Sequence, residues 1–202
     1  MKRPILFLVI IFIFSLSCSK KAIIRNYYLV ELPKNIEIRP AAEMFPVTVD
    51  VRDFQVAKAF EQTRIALRTA SNELNYFYYH HWAVRPSYAL ADQAYQTLDR
   101  LRLFRQVNRG FSYSPQYLVD GNVHSIERSH LDNQVSAHLS MSFQFIDKKT
   151  GLAVVRHEFD QLKKLDKTKH MNAFAMAVSE IFYQETLVFA DKIKDYLAQE
   201  NE

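Results

Sequence analysis

The sequence predicts an α+β fold: a two-layer sandwich of a mainly antiparallel sheet with two helices packed on one face. Three observations carry this reading. Strand-like and helix-like segments follow one another as strands, helix, strands, helix, an order that suits helices segregated to one side of an antiparallel sheet. Within 135–146, residues 135–145 alternate apolar and polar without a break, and a turn sequence, Asp147-Lys148-Lys149-Thr150-Gly151, leads into a partner strand. Two segments, 86–103 and 172–197, repeat their apolar residues at helical spacing.

Taken in order, Tyr27 to Leu32 reads as a first strand stopped by Pro33, and 35–46 as a loop holding Pro40 and Pro46. In 47–54, Val47, Val49 and Val51 share one face and Thr48, Asp50 and Arg52 the other. Segment 57–70 is open between helix, by propensity, and strand, because 64–68 alternates. Leu74 to Ala83 is dominated by aromatics and reads as a strand partly covered on both faces. Pro86 opens the first helix, where its missing N–H costs nothing, with Tyr88, Ala91, Tyr95, Leu98 and Leu101 inward. Short and long strands follow at 104–108 and 116–126, with Gly121 marking a bulge or close approach. In 135–146, Val135, Ala137, Leu139, Met141, Phe143 and Phe145 form the core face. Leu152 to Leu162 returns as the partner strand. The closing helix carries Phe174, Ala175, Val178, Ile181, Phe182, Phe189, Ile193 and Tyr196 as its apolar stripe.

The N-terminus has a separate organisation. Lys2 and Arg3 precede an unbroken apolar run, Ile5 to Phe14, and then Ser15-Leu16-Ser17-Cys18. A basic start, a short apolar stretch and small residues at a cut describe a secretory signal peptide. The run falls well short of the about 20 residues a membrane span needs. Cys18 is the single cysteine of the chain and stands where lipoprotein signal peptidase leaves a new N-terminus. Ser17 fits the lipobox; Leu16 is one place closer to the cysteine than usual. An ordinary signal peptide cut elsewhere and a buried free thiol are the competing readings. The expected organisation is thus a signal peptide at 1–17, a lipidated tether at 18–26 and one domain at 27–202. Covalent diacylglycerol and an N-acyl chain on Cys18 replace any cofactor.

With no second cysteine the mature chain forms no internal disulfide, so its core alone holds it. About 180 residues suffice for one such core. The formal charge of +4 includes Lys2 and Arg3, so the mature surplus is only +2. That is too small to argue for nucleic acid, from which export also separates the protein.

Catalytic signals are missing. The seven histidines, His80, His81, His124, His130, His138, His157 and His170, contain no zinc motif. His80 and His81, adjacent in a strand, point to opposite faces; His124 and His138 could meet across strands, but with no third ligand they read as solvated. There is no nucleophile elbow and no glycine-rich phosphate loop. Asp120 and Glu158 could pair in principle but read as solvated strand carboxylates. The run Tyr76-Phe77-Tyr78-Tyr79-His80-His81-Trp82 stands out, either as a core strand or as a binding surface of apolar bodies with polar tips.

The ordered pieces Cys18, Tyr27-Tyr28-Leu29, Val49-x-Val51, Phe54-x-Val56-Ala57, Arg64-Ile65-x-x-Arg68 and Trp82-Ala83-x-x-Pro86 resemble the ABC-type transport auxiliary lipoprotein family, the PqiC-like proteins. The resemblance implies a non-enzymatic accessory, lipid-anchored and facing the periplasm, that partners an MCE-domain protein with its permease and ATPase. Its cargo would be phospholipid or another apolar substrate. Ser19 after the cysteine is similar to lipoproteins sorted to the outer membrane, with inner-membrane anchoring left open, as is self-association into a homo-oligomer. The residues singled out are Cys18 for lipidation, Tyr78, Tyr79 and Trp82 for a partner or lipid surface, and Arg64 and Arg68 as family matches. An outer-membrane assembly lipoprotein similar to the lipopolysaccharide-transport plug, and a lipid-anchored hydrolase, are the alternatives.

Overall fold

The computed structural model describes residues 24–34, 36–110, 114–166 and 170–200. Eleven elements are defined among them: β1 (Asn26–Tyr28), β2 (Phe45–Val51), β3 (Gln55–Val56), β4 (Arg64–Ala70), β5 (Glu73–Trp82), α1 (Pro86–Leu101), β6 (Phe104–Arg109), β7 (Tyr117–Leu131), β8 (Gln134–Asp147), β9 (Ala153–Leu165) and α2 (Met171–Glu200). The α+β class is as the sequence predicts, with both helices over a nine-stranded sheet.

The long strand β7 is the spine. Along one edge it pairs antiparallel with β8 from Tyr117↔Asp147 to Leu131↔Gln134, and β8 pairs in turn with β9. Along the other edge three successive pieces of chain lie parallel to it: β2 against Tyr117–Val119, β3 against Asn122–Val123 and β4 against Glu127–Ser129. The sheet therefore forks, to β6 beyond β2 and to β5 and β1 beyond β4. Phe54 separates the first two pieces. Its ring lies over Gly121, where an added Cβ would come 2.9 Å from ring carbons. The glycine marks a close approach, one of the two alternatives its position predicts.

Two turns are set by backbone chemistry. Asp132 and Asn133 both have positive φ, 48° and 60°, which matches the twist of a two-residue hairpin and extends β7 five residues past its predicted end. Gly151 (φ 73°) closes the β8–β9 turn, its N–H donating to the Asp147 carbonyl at 2.8 Å.

The core face of β8 is the predicted one, with Ala137, Leu139, Met141, Phe143 and Phe145 all fully buried. Phe143 is its centre: Phe189 stacks at 4.9 Å between centroids, Phe182 lies at 5.5 Å, and Phe54 meets it edge-on at 5.8 Å. Helix α2 buries a broad face against the sheet, α1 and a strap of chain, and leaves a stripe that includes Met176 and Val188 exposed. The strap follows β1, which ends at Tyr28 instead of continuing to Leu32. There the chain leaves the sheet, buries Val30 and Leu32, and donates the Glu31 N–H to Ser179 Oγ on α2. It reaches the end of α1, where Ala41 N–H meets the Leu101 carbonyl at 2.7 Å.

Further differences have local causes. Segment 57–70 resolves as turns followed by strand β4, because pairing with β5 and β7 outweighs helix propensity. Asp50, expected at the surface, is buried and accepts the Gly110 N–H at 2.8 Å. In α1 the inward face is built from Ala89, Leu90, Ala94, Thr97 and Leu98, whereas Tyr88 is 45% exposed.

Candidate functional site

The aromatic run falls on β5 beside the short strand β1. It does not lie flat in the sheet. Arg64 of β4 pairs with His81 and Ala66 with Tyr76, so β4 advances two residues while β5 advances five. The surplus residues bulge from the ladder, and such bulges re-aim side chains. Tyr78 and Tyr79 emerge 62% and 44% exposed, with their rings edge-on at 4.8 Å. Trp82, past the bulge, turns inward to 2% exposure and packs 5.6 Å from Phe174 of α2. The fold thus brings Tyr78 and Tyr79 together and sets Trp82 apart from them, in the core. The core-strand reading holds for Trp82, while Tyr78 and Tyr79 lie at the surface.

Strand β1 completes this edge. Tyr27, 60% exposed, lies 5.7 Å from the His81 ring, whose Nε2 is 3.1 Å from the Tyr78 carbonyl oxygen. On the neighbouring pair, the Tyr28 hydroxyl lies 2.9 Å from His80 Nδ1. Burial, with Arg128 and His81 nearby, holds the His80 imidazole below its ordinary value. The parallel register Asn26↔His80 to Tyr28↔Trp82 makes these contacts. Adjacent His80 and His81 thus engage different tyrosines.

Arg64 and Arg68 have separate roles. The Arg64 guanidinium sits 5.1 Å from the Tyr76 ring centroid, a cation–π contact at an exposed position. Arg68 grips Glu127 with two parallel hydrogen bonds, Nε to Oε1 at 2.5 Å and Nη2 to Oε2 at 2.9 Å. Glu127 is fully buried, and its Oε1 also lies 3.1 Å from His138 Nδ1. His138 Nε2 reaches Asp160 Oδ1 at 2.8 Å. The result is a chain of charge, Arg68–Glu127–His138–Asp160, across four strands on the sheet face away from the helices. Burial alone would raise the Glu127 carboxyl, but hydrogen bonds from His138 and Arg68 hold it below its ordinary value. The bond to Glu127, against the opposing effect of burial, raises the His138 imidazole above its own.

His124 and His138 do not meet. His124 sits exposed at a register shift of β7, and His138 pairs across to Glu127 instead. His138 is therefore an ion-pair partner, contrary to its expected solvation. Asp120 and Glu158 are likewise apart: Asp120 faces Arg52 at 3.6 Å. Among the described residues no three His, Cys, Asp or Glu side chains converge to hold a metal ion.

A second polar group joins α2 to β9. His157, on the helix-facing side, lies 2.7 Å from Glu185 Oε2 and 3.1 Å from Lys192 Nζ. Lys163 pairs with Glu180 beside it. These pairs fix the helix to the sheet and lie far from β5 in the strand order.

Cys18 lies outside the described residues. Among those described, no helix is long and apolar enough to cross a membrane. The sequence reading missed Tyr27, Glu127 and Asp160. Tyr27 carried a signal as part of the Tyr27-Tyr28-Leu29 motif; the carboxylates carried none, since their partners lie 11 or more residues away.

The family model for the ABC-type transport auxiliary lipoprotein component matches residues 30–186. Among solved structures, the chain is similar to protein XCC0632 from Xanthomonas campestris, of family DUF330, with a TM-score of 0.73 at 16% identity, covering 87% of this chain and 99% of that one. It is also similar to an uncharacterised protein, with a TM-score of 0.65 at 14% identity, covering 84% and 99% of the two chains. At these identities the likeness is one of fold. No curated protein matches the chain significantly.

Proposed function

Because the chain belongs to the ABC-type transport auxiliary lipoprotein family, we propose that it is the lipid-anchored, non-catalytic accessory of an MCE-type transport system, docking that system to a membrane. The match over residues 30–186 carries this reading. Supporting it, the lone cysteine follows an apolar leader at a lipobox-like junction. The anchor would be diacylglycerol and an N-acyl chain on Cys18, in the outer membrane and facing the periplasm, with phospholipid or another apolar molecule as cargo. ATP hydrolysis belongs to a separate subunit.

In-cell crosslinking followed by identification of the captured protein tests this reading. An MCE-domain protein, with permease and ATPase genes beside this one, is the expected result. Capture of a β-barrel assembly protein instead would overturn it. If transport failed when His138, Asp160 or Ser125, whose Oγ lies 3.4 Å from His138 Nδ1, was replaced while the protein remained folded and anchored, the non-catalytic assignment would fall.

A further inference from the structure

We infer that the exposed edge formed by Ile24, Tyr27, Tyr78 and Tyr79 is a membrane seat: it rests in the interfacial zone of the bilayer that holds the lipid anchor and orients the domain on it. This inference rests on reading Cys18 as the anchor, and goes beyond it by assigning a surface and its occupant.

The first observation is contiguity. Tyr27 lies against the His81 ring, His81 Nε2 reaches the Tyr78 carbonyl, and Tyr78 lies against Tyr79. Three tyrosines between 44% and 62% exposed are thereby joined. Ile24, 74% exposed, lies two residues before the strand that contains Tyr27. Large rings with polar tips are the side chains that sit where one end is apolar and the other wet.

The second observation is the length of chain between this edge and the anchor. Ile24 is only six residue steps from Cys18. Fully extended at 3.3–3.6 Å each they reach about 20 Å. Whatever direction the tether takes, Ile24 remains within that distance of the acylated cysteine, and β1 begins two residues later. No other edge of the sheet is so constrained.

The third observation is charge. The stretch from Ser19 to Val30 carries Lys20, Lys21 and Arg25 and no carboxylate. The stretch from Asn75 to Pro86 carries Arg85 and again no carboxylate. These basic stretches suit anionic phospholipid, which attracts such residues within a Debye length, although Glu61 lies near Arg85. One-chain anchors are marginal and gain from a second attachment; here the tyrosine edge restricts tilt in addition to whatever the acyl chains contribute.

The test uses the full-length acylated protein. Tyr78→Cys, and separately Lys149→Cys at the exposed β8–β9 turn, each provide one free thiol, since Cys18 is blocked by its lipid. Each is labelled with an environment-sensitive fluorophore and reconstituted into phosphatidylethanolamine–phosphatidylglycerol vesicles with brominated acyl chains. The expected result is several-fold stronger quenching at position 78 than at 149, with a blue shift at 78 only. Equal, weak quenching at both positions in protein that floats with the vesicles would overturn the seat and leave the anchor standing. A blue shift at 78 that persists in detergent and is insensitive to bromine would give this edge to a second copy of the chain, which also overturns it. Protein that fails to float would overturn the anchoring on which both readings rest.

Discussion

Glu127 shows how much depends on one side chain. It is buried without exposure on the helix-free face, and its charge is tolerated because Arg68 and His138 meet it. Removing one partner of a buried pair leaves the other uncompensated. Glu127→Ala is therefore expected to lower stability by about 3 kcal/mol in urea unfolding; a change near zero would mean that Arg68 and His138 simply reach water. The pH dependence follows from the same contacts. The folded state raises the His138 pKa, so its contribution is fully present below the ordinary imidazole value near 6.5 and is lost as pH rises through the higher folded value. Glu127 behaves oppositely: its contribution is present above the ordinary carboxylate range and is lost as pH falls through its lowered value. His80, lowered by burial, favours the fold at higher pH and would mask part of the effect. The difference between wild type and His138→Gln removes that mask. It should be largest between about pH 5 and 6.5 and shrink above.

At the scale of elements, the packing of β7 and α1 gives two further expectations. Gly121→Ala forces a methyl within 2.9 Å of the Phe54 ring. It should cost about 1–3 kcal/mol, as overpacking does. In combination with Phe54→Leu the loss should be smaller than the sum, since the two sites share one space. For α1, Leu98→Ala should cost about 2–5 kcal/mol and Tyr88→Ala less than about 0.5. The second value tests the observed inward face against the one that apolar spacing predicts. That spacing gave weight to tyrosines and found Ala91 but missed Ala89 and Ala94. Ala89, Ala91 and Ala94 are inward because small side chains let α1 approach the neighbouring elements closely, and an alanine is equally at home on an exposed face. Strand β8 was legible to within one residue at each end because one face meets the core and the other does not, so its alternation runs from Val135 to Phe145. Strand β7 was legible only in part. Its polar face carries Glu127 and Ser129, buried by neighbours far along the chain, and its end is set by the Asp132-Asn133 turn, a signal the sequence contains.

For the whole molecule, the anchor is the decisive variable. Cys18→Ser should move the protein from the membrane fraction to the soluble fraction, measured by fractionation of cells expressing each form. The α+β class, the two helices, the β8–β9 hairpin and the family were determined by the sequence alone, because periodicity, turn chemistry and short ordered motifs are local properties. Only the tertiary structure decided the forked sheet, in which β2, β3 and β4 share one edge of β7. It also decided the division of the aromatic run into a buried Trp82 and exposed Tyr78 and Tyr79. The physical reason is the same in both cases: strand pairing joins residues far apart in the chain, and the register of that pairing, including the bulge in β5, sets which way each side chain points.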